Sequence, residues 1–173
     1  VETQTEQALP WQIQPYEGES ISHYLGRVRR ADAISASSAS GLSKALGLGI
    51  ALARWEKLRF NPYPSRVELE ALDKVVGLGV DRLADLFPPK DEPIRLQPIR
   101  FCPACYVEFP YHRMKWQYQS TAGCDRHHLK LLCKCPGCKD YFQVPSLWTE
   151  PKCKRCGMPF KRMVKHQKPH EGD

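Results

Sequence analysis

All eight cysteines of the 173-residue chain lie between positions 102 and 156. They form three Cys-x2-Cys pairs, 102/105, 135/138 and 153/156; Cys124-x2-His127 adds a fourth pair and Cys133 stands apart. Two residues between ligands let a tight turn aim both side chains at one point, and two such turns complete the tetrahedron that Zn²⁺ accepts from thiolate and imidazole. In chain order, Cys102, Cys105, Cys124 and His127 make a site of three thiolates and one imidazole, and Cys135, Cys138, Cys153 and Cys156 make a site of four thiolates. The intervening loops have room for a short hairpin but not for a catalytic domain. Four protein ligands leave no position for an activated water, so two closed, structural Zn²⁺ ions are expected. Three points stay open at this level. Cys133 can replace Cys135 in a looser knuckle, His128 can exchange with His127, and the first pair can share a metal with the third in a cross-braced arrangement.

Other uses of cysteine fit less well. Disulfides require an oxidising compartment, and residues 1–10 are polar, without the apolar run of a signal peptide. A redox Cys-x2-Cys is usually single and follows a strand in a thioredoxin-like context, which is missing here. The formal net charge of +7 is unevenly placed: residues 1–90 carry 11 Lys and Arg against 11 Asp and Glu, whereas residues 91–173 carry 15 against 8. Thiolate ligation lowers the loaded charge to roughly +4, which favours an anionic partner without demanding one. No stretch approaches the ~18 apolar residues of a membrane helix. The sequence holds no Gly-rich phosphate loop, no spaced acidic triad and no His-Glu-x-x-His, so no enzyme, small-molecule substrate or membrane partner is expected.

Residues 1–17 read as a flexible arm whose Trp11 and Tyr16 each follow a proline and either fold back or dock into a partner. Ser20 is an N-cap, with Ile21, Tyr24, Leu25 and Val28 at helical spacing and Arg27, Arg29 and Arg30 on the opposite face. Leu42 to Leu46 and Ile50 to Leu58 predict two short helices joined at Gly47-Leu48-Gly49, a helix-turn-helix, with Arg54, Lys57 and Arg59 facing out and Lys44 near the second helix. Ile50, Leu52 and Ala53 offer little to base edges, so protein docking reads ahead of base reading. Ser65 and Glu68 form a capping box before Leu69, Leu72, Val75 and Val76; Gly77 closes that helix, and Val80 to Leu86 adds a last turn or two. Met114, Trp116 and Tyr118 alternate with Lys115, Gln117 and Gln119, which predicts a strand covering the metal site. Trp116 reads as core, with stacking on an unpaired base beside Arg113, Lys115 and Arg126 as the alternative. Lys161, Arg162, Lys165 and Lys168 make a basic, mobile tail with phosphate affinity.

The expected architecture is therefore a small α-helical helix-turn-helix domain followed by two zinc-finger or zinc-ribbon modules with small metal-bound β hairpins. Its boundaries are a flexible N-terminal arm (1–17), the helical domain (18–89), a linker (90–100), a first finger (101–130), a second (131–160) and a basic flexible tail (161–173). The helical domain is expected to stay folded when a finger is lost.

The opening Pro15-x-x-Gly18-Glu19-Ser20-Ile21-Ser22-x-x-Leu25-x-Arg27 and the later series Cys102-Pro103-x-Cys105, Trp116, Cys124-x-x-His127, Leu131 or Leu132 and Cys135-Pro136-x-Cys138 together resemble the TniQ family of transposition target-selection proteins. The resemblance spans roughly residues 15 to 158. The chain departs from the family in having His128 where a glycine often follows the finger histidine, and in the Cys133/Cys135 doublet. Many members are longer, and this chain looks like the short form found with CRISPR-associated transposons. The resemblance implies a cytoplasmic, nucleoid-associated bacterial adaptor that links an RNA-guided CRISPR effector, with its guide RNA and target DNA, to a AAA+ ATPase that summons the transposase. The rival reading is a stand-alone DNA-binding transcriptional regulator.

Overall fold

A turn at the start of the opening motif sets the architecture. The computed structural model describes residues 12–31, 34–35 and 38–171. Gly18 takes the left-handed φ of 70° that closes the turn, and the Glu19 N–H donates to Tyr16 O at 3.1 Å. Ser20 then caps α1 (Ile21–Arg30), its hydroxyl accepting from the His23 N–H at 3.2 Å.

Burial of α1 extends around almost its whole circumference. Ile21, Tyr24, Leu25 and Val28 join the core of the first half. Its other side meets a 3₁₀ turn at Pro145–Leu147, from the far end of the chain. Gly26 makes that approach possible, because a Cβ there would stand 2.7 Å from Ser146 Cα. Ser22 ties three segments together: its hydroxyl donates to Glu56 O at 2.6 Å and accepts from Ser146 N–H at 3.1 Å. The expectation of an open arginine face on α1 is thereby corrected. Arg27 grips Glu19 through two bonds of 2.9 Å, Arg29 is buried against Glu56 with its Nε 2.5 Å from Oε1, and Arg30 donates to Ser146 O at 2.7 Å. A helix enclosed this way tolerates cations only where each is matched.

The rest of the first half is α2 (Ala39–Ala45), α3 (Ala51–Glu56), α4 (Arg66–Val76) and α5 (Val80–Ala84). With α1 these are the five short helices that the apolar spacing predicts. The capping box of α4 forms in both directions and Gly77 ends it at φ 66°. Leu42, Leu52, Trp55, Leu72, Leu83 and Phe87 fill the space between them, with Trp55 edge-on to Phe87 at 5.1 Å.

In the second half, α6 (Pro103–Glu108) and α7 (Phe160–Met163) frame a core of Phe101, Tyr106, Trp116, Phe142, Trp148 and Phe160, which Leu58 enters from the first half. Four expectations are corrected here. The predicted strand over residues 114–119 is a 3₁₀ turn at Met114–Gln117, because the fully buried Gln117 spends its side chain on Arg100 N–H at 2.7 Å and Arg95 O at 2.7 Å instead of facing water. The hairpins shrink to isolated bridges, such as Phe101 with Leu132 and Lys134 with Tyr141. The linker is knitted in: Ile99 is fully buried, and Arg100 donates to Thr121 O and Tyr118 O at 2.8 Å each. The described part of the tail, residues 161–171, is not loose either, since Met163 and Gln167 are buried.

The arm is also anchored over its described part. Tyr16 stacks on Tyr111 at 4.8 Å, and Ile13 O accepts from the Tyr24 hydroxyl at 2.9 Å. The two halves are further locked at His112, which is fully buried. Its Nε2 lies 3.0 Å from Arg100 O, which can only accept, and its Nδ1 lies 2.9 Å from the Ser20 hydroxyl. That pairing fixes the neutral Nε2–H tautomer, with Ser20 donating. Among the described residues no helix is long and apolar enough to cross a membrane.

Candidate metal centres

Three of the four ligand pairs are built on the same turn. The residue after the second ligand takes a left-handed φ in each, 53° at His128, 64° at Lys139 and 75° at Gly157. Its N–H donates to the carbonyl of the first ligand, Cys124, Cys135 and Cys153, at 2.9, 2.9 and 3.0 Å. Glycine suits such a position and His128 tolerates it at a modest cost. The remaining pair is helical: Cys102 caps α6, and Cys105 sits one turn in.

These turns gather the donors into two groups in which all ligand atoms lie within 4.8 Å of one another: Cys102, Cys105, Cys124 and His127, then Cys135, Cys138, Cys153 and Cys156. The donors are therefore grouped sequentially and not cross-braced, and Cys133 belongs to neither group. In the first group Cys105 and Cys124 sulfurs are 3.4 Å apart, and His127 Nδ1 lies 3.9, 3.2 and 3.7 Å from the sulfurs of Cys102, Cys105 and Cys124. In the second, the pairs Cys135/Cys156 and Cys138/Cys153 are each 3.6 Å apart. A tetrahedron with metal–sulfur bonds of about 2.3 Å has edges of about 3.8 Å, whereas a disulfide would bring sulfurs to about 2.05 Å. Spacing and donor chemistry both fit a tetrahedral metal ion.

The two groups differ in their surroundings. Cys102, Cys105 and Cys124 are buried, whereas Cys138 is half-buried and Cys156 exposed. His127 Nε2 reaches Glu108 Oε1 at 2.6 Å, and Arg126 holds the other oxygen of that carboxylate at 2.6 Å. Contact with His127 first, and then Arg126, keeps the Glu108 carboxyl below its usual range. The carboxylate accepts the hydrogen bond from Nε2–H and so leaves the Nδ1 lone pair facing the sulfurs, as outer partners of ligating histidines commonly do. Hydrogen bonding from Cys105 foremost, with help from Gln167, lowers the Cys102 thiol to about 5, while the same contact and burial raise Cys105. Burial pushes Cys135 up to about 12.

The other sequence-derived candidates scatter. Trp116 is 1% exposed and unavailable as a stacking platform. Lys115 pairs with Asp125 at 2.8 Å, Arg113 lies over the Tyr111 ring at 5.0 Å, and Arg54 approaches Glu68 at 3.8 Å. Lys44, Lys57, Arg59, Lys161 and Arg162 are exposed. Trp11 lies outside the described residues. Sequence reasoning missed Glu108 and Gln167. Glu108 carried a faint signal, three residues after Cys105 at helical spacing; Gln167 carried none.

No curated protein matches the chain. The family model TniQ matches residues 10–131, which takes in the anchored arm, the helical half and the first donor group and stops short of the second. With that match over most of its length, the chain belongs to the TniQ family and is thereby associated with transposition.

Proposed function

We propose that the protein is a non-enzymatic adaptor in RNA-guided DNA transposition, joining a CRISPR effector on its R-loop to a AAA+ ATPase that recruits the transposase. Membership of the TniQ family carries this reading. The two donor groups support it: a Zn²⁺ ion bound in each would have all four positions taken by protein and would fix loop geometry without activating water. In guide-directed systems base pairing chooses the sequence, so an adaptor needs docking surfaces more than base contacts. The α2–α3 pair, read as a helix-turn-helix, suits that role. Leu52 and Trp55 are turned into the core, Ile50 is left 71% exposed at the start of α3, and Lys57 and Arg59 are exposed past its end.

Reconstitution tests the proposal. The zinc-loaded chain should co-purify with the ATPase and with the guide-RNA effector, and Ile50→Asp should weaken ATPase capture by about tenfold or more, as loss of an anchoring contact does, without lowering Tm. Capture by neither component would overturn it. The exposed Lys57 and Arg59 favour one competitor, a stand-alone DNA-binding regulator. Fluorescence anisotropy at two salt concentrations separates the two. Tight, sequence-selective binding by the isolated chain supports the regulator, and weak, steeply salt-dependent binding supports the adaptor.

A further inference from the structure

The segment after α7 makes contacts that a basic tail does not need. Gln167 is 9% exposed, and every polar atom of its side chain is used at the first donor group. Its Nε2 donates to Cys102 Sγ at 3.4 Å and to Lys130 O at 3.1 Å, and its Oε1 accepts from the Ala104 N–H at 3.1 Å. One amide thus spans a ligand sulfur, the first turn of α6 and the strand-like run that follows His127. The backbone that follows it is stitched to the same run: Lys130 N–H donates to Lys168 O at 2.8 Å, and His170 N–H donates to His128 O at 2.8 Å. Among the described residues the sulfurs of the second group receive no comparable side-chain donor.

We infer that residues 164–170 are a strap that retains the metal ion of the first group, with Gln167 as the positioning residue that holds Cys102. The inference rests on the metal reading above. An N–H donor to a ligand sulfur spreads the thiolate charge, and loss of such outer contacts typically costs 10–100-fold in metal affinity. The coupling runs both ways. Metal held by Cys102 fixes the sulfur on which Gln167 closes, so loading of the first group orders the segment that displays Lys165 and Lys168. The second group, with Cys156 exposed, has no such closure and gives up its ion first.

The test uses the full chain loaded with ¹¹³Cd²⁺, whose resonances separate the three-thiolate and four-thiolate sites, and follows release to a chelator. Gln167→Leu should speed release from the three-thiolate site by about 10–100-fold and leave the four-thiolate site within about twofold. Gln167→Glu, which keeps the acceptor for Ala104 and loses the donor to Cys102, should do the same. Release at the unaltered rate in both variants, or equal acceleration at both sites, overturns the strap. The unaltered chain gives an independent reading: hydrogen exchange over residues 164–170 should accelerate in step with emptying of the three-thiolate site, and exchange that tracks the other site overturns the proposal. Uptake of fewer than two ions would instead sink the metal reading itself.

Discussion

At the scale of single residues, His112 shows how a polar side chain becomes structural. Burial first, and the charge of His23 second, lower its pKa to about 3 from an ordinary value of 6.5. The folded state therefore binds the proton less readily than the unfolded chain. Stability from this group is fully present above about pH 6.5 and drains away as pH falls toward 3, by an amount on the order of a few kcal/mol. In zinc-saturated protein, Tm measured from pH 7.5 down to 4.5 should fall more steeply for the native chain than for His112→Gln, which cannot titrate. Parallel curves would assign acid sensitivity elsewhere. Glu19 belongs to the same class: it is 1% exposed and satisfied by His23, Arg27 and the Tyr16 N–H. The Glu in the opening motif is thus a buried counter-charge whose removal would leave Arg27 without its ion-pair partner.

At the scale of elements, α1 against the Pro145–Leu147 turn is the contact on which the others depend. Gly26→Ala would ordinarily gain up to about 1 kcal/mol of helix propensity. Here the added methyl meets backbone atoms of Ser146, which cannot rotate away, and overpacking of this kind costs about 1–3 kcal/mol. Packing wins over propensity, and for a chain of this length Tm should drop by about 2–4 °C per kcal/mol lost. A Gly26→Ala protein as stable as the parent in thermal unfolding would show that the turn yields. The short 3₁₀ turn at Met114–Gln117 teaches a related lesson. Alternating polarity predicts a strand only when the polar face meets solvent, and Gln117 faces inward with its hydrogen bonds met.

At the scale of the whole molecule, the helical half and the cysteine-rich half do not stand apart. Leu58 packs in the second core, Ser146 touches α1, and His112 bonds to Ser20. Metal binding at such small sites contributes on the order of 10 kcal/mol to folding, so its loss should reach α1 through the Pro145–Leu147 turn between Cys138 and Cys153. Cys153→Ser should therefore lower the helical signal and Tm together in circular dichroism, contrary to the independence that the sequence suggests. A helical signal unchanged by the substitution would restore that independence.

What the chain determines by itself is local. Ligand pairs two residues apart, the Ser65–Glu68 capping box, the Gly77 stop and the apolar spacing of α1 and α4 follow from chemistry within a few residues, and each is legible before any fold is known. The resemblance carried by Pro15 to Arg27 and by the finger series is legible in the same way. Only the tertiary structure decides that Arg27, Arg29 and Arg30 are paired instead of free, that Trp116 is core, that the donor pairs group sequentially and that Gln167 closes on Cys102. Most of these join residues far apart in sequence, 65 positions for Gln167 and Cys102 and 116 for Arg30 and Ser146. Their partners are fixed by packing and by the need to satisfy buried polar groups, a constraint that residue spacing does not encode.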